Sequence, residues 1–388
     1  MDKQKGESEE MKSASETKIS FKRKKSAKTR VNKRRLIVSL TAVIIALFLL
    51  YNIPAFVDFL THADIKDVSG LLASTEYFAK RYDNGVIIYG NRGLNFINDD
   101  GETEWTAAHS MTAPRVYVEG DYILLADLGG KSACLYDGKN LKTKVTASGD
   151  IISAGVCDDG DFVLAVRSKG SKGVATVYDE DGKQLYTWKS GGGYIASCDI
   201  FDKYITVGRL SADEKGVRSE IVTVNRKNNE EFVSAKLKDE MVFDIKVFDG
   251  GSAVAVTDKG FYGFSSGGEK EFSVSFNGAK LKNYSIESED NLVFCFGGEQ
   301  NNTIVKSYSS NGTERGTYSQ RGTIESVDTC GEAILISNMR KLKRIYPDGD
   351  EGDERVLSKD IKGICIFGSR RRAAVLCSPD AMVVKMNR

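Results

Sequence analysis

The chain has 388 residues, with 55 Lys+Arg against 54 Asp+Glu and a formal net charge of +1. Seven cysteines without a CxxC pair, and only two histidines, argue against a zinc centre. The near-neutral total hides a split: residues 1 to 35 carry 13 Lys+Arg against 5 Asp+Glu, a net of +8, which leaves −7 for the rest.

That basic amino-terminal tail is rich in Lys, Ser and Glu and poor in large apolar residues, so it cannot bury a core and is expected to be disordered. Its stretch FKRKKSAKTRVNKRR reads as the flank of a membrane segment, resting on anionic head groups, and not as a nucleic-acid element. The segment itself follows at once. Leu36 to Val57 carries no charge, enough for the roughly 20 residues that a tilted helix needs to span a bilayer. It is too long for a bare signal-peptide core, and Thr61-His62-Ala63 is only a weak cleavage candidate, so residues 36–57 are read as an uncleaved signal-anchor. The Lys and Arg excess on its amino-terminal side places that end in the cytoplasm and the carboxyl-terminal domain outside. Residues 58–64 form a linker, and the expected location is the cell membrane, single-pass.

From residue 75 onward a four-strand unit recurs every 35 to 48 residues. One copy is IISAGVCDDG, DFVLAVRS, GVATVYDEDG and KQLYTWKS. Each piece reads as alternating apolar and polar residues, the period of half-buried strands. Separators such as Asp100-Gly101, Asp181-Gly182, Asn311-Gly312 and Asp348-Gly349 supply the positive φ angles of hairpin turns. Naming the strands A to D from the axis outward, A strands begin near Thr75, Pro114, Ile151, Tyr194, Val242, Leu281, Ile324 and Ile361. Eight such units predict an all-β, eight-bladed β-propeller with four-stranded antiparallel blades over residues 65–388. The eighth unit ends after its third strand, and residues 65–72 are placed to supply the fourth and close the ring. A seven-bladed ring with an irregular end is the alternative.

Two segments carry a family resemblance. Val177 to Trp188 (VYDEDGKQLYTW) and Phe96 to Trp105 (FINDDGETEW) place a C strand, an Asp-Gly turn and a D-strand Trp in order. That order resembles the quinoprotein-type repeat, related to PQQ-like and WD40-like propellers. The whole layout resembles the uncharacterised single-span, membrane-anchored quinoprotein-like propellers of Gram-positive bacteria. The resemblance implies an eight-bladed ring on the outer surface and assigns no activity. Quinone-dependent dehydrogenases of this repeat are marked by an adjacent Cys-Cys pair, which is missing here, so no cofactor is expected.

The cysteines, Cys134, Cys157, Cys198, Cys295, Cys330, Cys365 and Cys377, each sit in an apolar strand and read as small buried hydrophobes. They do not read as a disulfide framework. Neither His62 nor His109 is placed to serve a nucleophile. The run Asp348 to Glu354 lacks the spacing of a calcium loop, and Gly191-Gly192-Gly193 has no following helix to bind phosphate. No catalytic, cofactor or metal residue is therefore assigned.

One distributed feature remains. A–B and C–D turns share one face of a propeller, and B–C and D–A loops share the other. The first group is acidic, with Asp99, Asp100, Asp158, Asp159, Asp181, Asp348 and Asp350 among its members. The second is positive on balance, diluted by Asp127, Asp213, Glu214 and Asp239, and Arg92, Lys131, Arg167, Lys169, Lys172, Lys189, Arg209, Arg218, Arg321 and Arg340 are its candidate binding residues. Turn chemistry alone, which favours Asp and Gly, is the competing explanation. The expected function is a non-enzymatic binding scaffold in the cell envelope, whose partner is an envelope protein or an anionic wall polymer. The alternatives are a lyase or hydrolase with an axial site, and a sensor relaying to the basic tail.

Overall fold

Residues 64–214 and 216–387 are described by the computed structural model. The basic tail, the apolar run and nearly all of the linker lie outside them. Among the described residues no helix is long and apolar enough to cross a membrane.

The described residues form eight four-stranded antiparallel sheets, each built from strands consecutive in the chain except the last. Inner strands begin at Pro114, Ile151, Tyr194, Val242 and Leu281, as the repeat predicts. In blades one, seven and eight they begin slightly later, at Phe78, Ser326 and Gly363. The eighth sheet consists of Gly363–Ile366, Arg372–Leu376 and Ala381–Lys385, with Ile65–Asp67 as its outer strand. The closing register is Ile65↔Val384, Lys66↔Val383 and Asp67↔Met382. Val68 adds one further hydrogen bond, N–H to the Ala381 carbonyl at 2.9 Å, and the chain then leaves the sheet. The ladder is thus shorter than the 65–72 segment expected to supply it.

Burial explains why the ring holds. Buried apolar residues fall into eight clusters, one at each blade–blade interface. The seam between blades eight and one is among them, where Val86, Ile88 and Ile97 meet Cys365, Phe367, Ala374 and Val383. Each blade is covered on both faces by its neighbours. The expected alternation therefore fails in the second and third strands: Gly85–Gly90, Phe162–Val166 and Ala253–Thr257 are buried at every position. Strands sandwiched on both faces read as continuous apolar runs. Outer strands such as Thr103–Ala108 and Lys270–Ser275 do alternate.

Five C–D turns follow one design. In Asn98–Glu102, Asp179–Lys183, Ser265–Glu269, Ser309–Thr313 and Tyr346–Asp350 the fourth residue is a Gly at positive φ whose N–H bonds the first carbonyl. A one-residue register shift follows in the ladder, so these are bulged hairpins and not two-residue ones. All seven cysteines are buried and free. Burial pushes the Cys198 and Cys295 thiols up to about 12, which keeps them protonated and inert.

Candidate functional site

Strand direction settles the two faces. Each inner strand starts at the B–C and D–A loops and ends at the A–B turn. Arg92, Lys131, Arg167, Lys169, Lys172, Lys189, Arg218, Arg321 and Arg340 all lie exposed at the loop face. Arg340 pairs with Asp360 at 2.7 Å, Arg218 with Asp213 at 3.0 Å, and Lys172 reaches the Gly192 carbonyl at 3.4 Å. Arg92, Lys131, Arg167, Lys169, Lys189 and Arg321 have no carboxylate partner among the described residues.

Arg209 is different. It is 7% exposed. Its guanidinium bonds Glu220 at 2.8 Å and Glu231 at 3.0 Å, and Glu231 in turn accepts from the Trp188 indole N–H at 2.9 Å. A long flexible cation at a strand position is drawn inward when two carboxylates converge on it, so Arg209 braces the third and fourth blades and offers no free charge. It also lies beneath the glycine loop, within 2.6 Å of where a Cβ on Gly192 would sit.

The opposite face is acidic for a local reason. Side chains of Asp159, Asp179 and Asp348 accept backbone N–H bonds from Asp161, Lys183 and Asp350 inside their own turns. Others are paired: Asp161 with Arg226, Glu180 with Lys142, Asp100 with Lys66 and Arg372. Glu351 and Glu354, in the run that superficially suggests calcium, pair with Lys343 and Lys341. Turn chemistry accounts for the acids. It does not account for the cations across the ring.

The axial bore holds a cluster that sequence patterning missed. Lys80, Tyr117, Ser153, Ser197, Asp199, Asp244, Lys246 and Glu287 line two adjoining cavities of about 130 and 280 Å³, with Arg81 and Asp328 beside them. Two ion pairs cross the lumen. Lys80 of blade one meets Glu287 of blade six at 2.5 Å, and Lys246 of blade five meets Glu119 of blade two at 3.3 Å. Other polar groups join the inner edges of adjacent blades. Asp199 accepts from Val247 N–H at 2.8 Å, Asp328 from Ile366 N–H at 2.7 Å, Ser153 from Cys198 N–H and Ser197 from Ile245 N–H. Arg81 donates to the Ile366 and Thr329 carbonyls.

Electrostatics separates these carboxyls. Burial lifts Glu119 to about 7 against the pull of Lys246, with a hydrogen bond to Asp249 adding to the rise. Burial likewise lifts Asp244 to about 6, despite the Tyr284 hydroxyl that donates to it at 2.8 Å. Burial opposes ionisation of Glu287 too, but Lys80, Lys246 and Arg81 outweigh it and hold that carboxyl near about 2. The Glu287 side chain remains 41% exposed to the lumen although protein surrounds it. One signal in the sequence pointed here: charges inside otherwise apolar inner strands, as in VFDIKV and SVDTC.

Comparison with known proteins adds the fold and a family. A family model described as a family of unknown function (DUF5711) matches residues 62–386. No curated protein matches the sequence. The structure is similar to BamB from Moraxella catarrhalis, with a TM-score of 0.54, 11% identity, and coverage of 83% of this chain and 100% of that one. It is also similar to the C-terminal WD40 domain of Sif2, with a TM-score of 0.58, 11% identity, and coverage of 84% and 99%.

Proposed function

We propose that this chain, which belongs to the DUF5711 family of unknown function, is a membrane-anchored binding scaffold of the bacterial envelope and not an enzyme. In this reading residues 36–57 span the membrane with the amino terminus cytoplasmic, and the ring stands outside. Its outer strand Ile65–Asp67 starts at the turn face, so the chain enters the ring on the acidic side, opposite the loop face. The observation that carries the proposal is the six loop-face cations without a carboxylate partner among the described residues, a surface that attracts an acidic protein or an anionic wall polymer.

The experiment is charge reversal in the full chain held in detergent, with polyglutamate and poly(glycerol phosphate) as probes. Arg167→Glu, Lys169→Glu and Lys189→Glu together should weaken binding and flatten its salt dependence, with the thermal unfolding midpoint unchanged. Equal binding by the reversed and native proteins ends the proposal.

A second reading has one observation in its favour. Glu119 and Asp244, both lifted towards neutrality, face one bore, and such carboxyls suit general acid work. Against it, the lumen is crossed by the Lys80–Glu287 and Lys246–Glu119 pairs, which a substrate entering along the axis must displace. The scaffold reading needs no such displacement.

A further inference from the structure

Three large apolar side chains stand exposed where the bore opens onto the loop face. Tyr194 begins the inner strand of blade four and is 66% exposed; Met241 and Phe243 flank the start of that of blade five and are 46% and 41% exposed. Their heights match. The Ser197 hydroxyl accepts from Ile245 N–H, which sets Tyr194 level with Val242 around the mouth. The Phe243 ring continues the patch to Tyr284 of blade six at 5.7 Å. Soluble surfaces scatter such residues singly, whereas a contiguous aromatic and Met patch marks a contact surface.

Cations border this patch on the blade-three side. Lys172 and Gly192 touch, and the Ile195 N–H bonds the Lys172 carbonyl, so Lys172 sits directly beside Tyr194. Ser190 N–H bonds the Gly173 carbonyl, which brings Lys189 to the same corner. On the other side blade four overhangs the mouth. Its second and third strands, Tyr204–Asp213 and Gly216–Asn225, pair out to Asp213↔Gly216, while the inner strand stops at Tyr194↔Leu210. No described strand covers the edge of the overhang beyond Leu210. Arg209, locked by its two carboxylates beneath Gly192, holds the glycine loop that carries Tyr194.

We infer that this corner, Tyr194, Met241 and Phe243 with Lys172 and Lys189, is a docking site for an extended acidic polypeptide segment that inserts an aromatic or aliphatic side chain at the bore mouth. The inference rests on the loop-face reading above and narrows it. An anionic polymer offers charge alone and leaves the apolar patch in water. An acidic peptide with an apolar anchor satisfies both halves.

The test uses the full chain in detergent and a displayed library of short random peptides. The expected result is enrichment of sequences with one large apolar residue flanked by Asp or Glu. A synthetic peptide from that pool should bind Tyr194→Ala and Phe243→Ala at least about tenfold more weakly, as loss of a central aromatic anchor does. Lys172→Glu should weaken it as well and reduce its salt dependence. Peptides that bind Tyr194→Ala and Phe243→Ala as tightly as the native protein overturn the inference, and so does a library with no enrichment. If poly(glycerol phosphate) then binds with full dependence on Arg167, Lys169 and Lys189 and none on Tyr194, the loop-face reading survives and the peptide reading falls. If neither probe binds, both fall.

Discussion

Every inner strand of a propeller is the edge of its sheet, so its outward N–H and C=O groups need partners from the next blade or the bore. Asp328 answers that need between blades seven and eight, where its carboxylate holds the Ile366 N–H and lies 3.4 Å from Arg81. Asp328→Ala should therefore destabilise the ring by about 1–3 kcal/mol, the cost of a buried donor left unpaired. Urea unfolding of the variant checks it, and loss of less than half a kilocalorie would assign Asp328 elsewhere. The lumen carboxyls give a second expectation. Glu119 and Asp244 hold protons more tightly folded, at about 7 and 6, than in an unfolded chain. The native state thus binds more protons between about pH 4 and 7, and stability must fall as pH rises through that window. Glu287, held near about 2, works in the opposite sense and supports stability that is lost on acidification below about pH 4. Thermal midpoints measured across pH should pass through a maximum near about pH 4, and Glu119→Gln should flatten the alkaline side. The positions of these charges were present in the sequence. Their convergence was not, because partners such as Lys80 and Glu287 stand 207 residues apart and meet only across a closed ring.

Turns and strands carried most of the legible information. The Gly-bearing separators fall at positive φ as read, with Gly101, Gly182, Gly312 and Gly349 among them. Gly349 has φ +95, and a methyl there would come within 2.5 Å of the Thr317 carbonyl oxygen in the neighbouring blade. Gly349→Ala should cost roughly 1–3 kcal/mol of stability, whereas Gly191→Ala, with open space around it and no positive φ, should be neutral or slightly stabilising. Calorimetry on the pair separates backbone strain from a general intolerance of side chains in loops. What misled the reading was period. Outer strands have one face towards water and alternate, whereas middle strands such as Arg372–Leu376 are apolar because both faces meet another blade. Arg209 was misjudged for a similar reason. A strand extended beyond its neighbours looks like a loop in sequence, and nothing local shows that Glu220 and Glu231 will meet its guanidinium.

For the whole molecule, eight similar units made the ring legible, and the comparison structures agree with it at 11% identity. The orientation of that ring in a cell is a separate question with a direct answer. Protease added to intact cells should remove the domain from residue 64 onward and spare the basic tail; protection of the domain contradicts the proposed topology. Closure is the thinnest part of the architecture. Interface cores are spread around the circle, yet the last sheet is completed by three exposed residues, Ile65, Lys66 and Asp67, assisted by Lys385 and Arg355 on Asp64. Replacing those three by a Gly-Ser-Gly stretch should lower the thermal midpoint and leave the Ala381–Lys385 edge open to association, measurable by light scattering.

In the proposed anchored topology the same three residues are the first described strand, so a load on the leash arrives there before it reaches another strand. Because Ile65 faces Val384 at the leash end of the ladder, pulling would peel the seam pair by pair instead of shearing it all at once. Stretching would unlatch one wedge and leave its seven companions seated, which gives the disc a built-in weak link where the chain enters it.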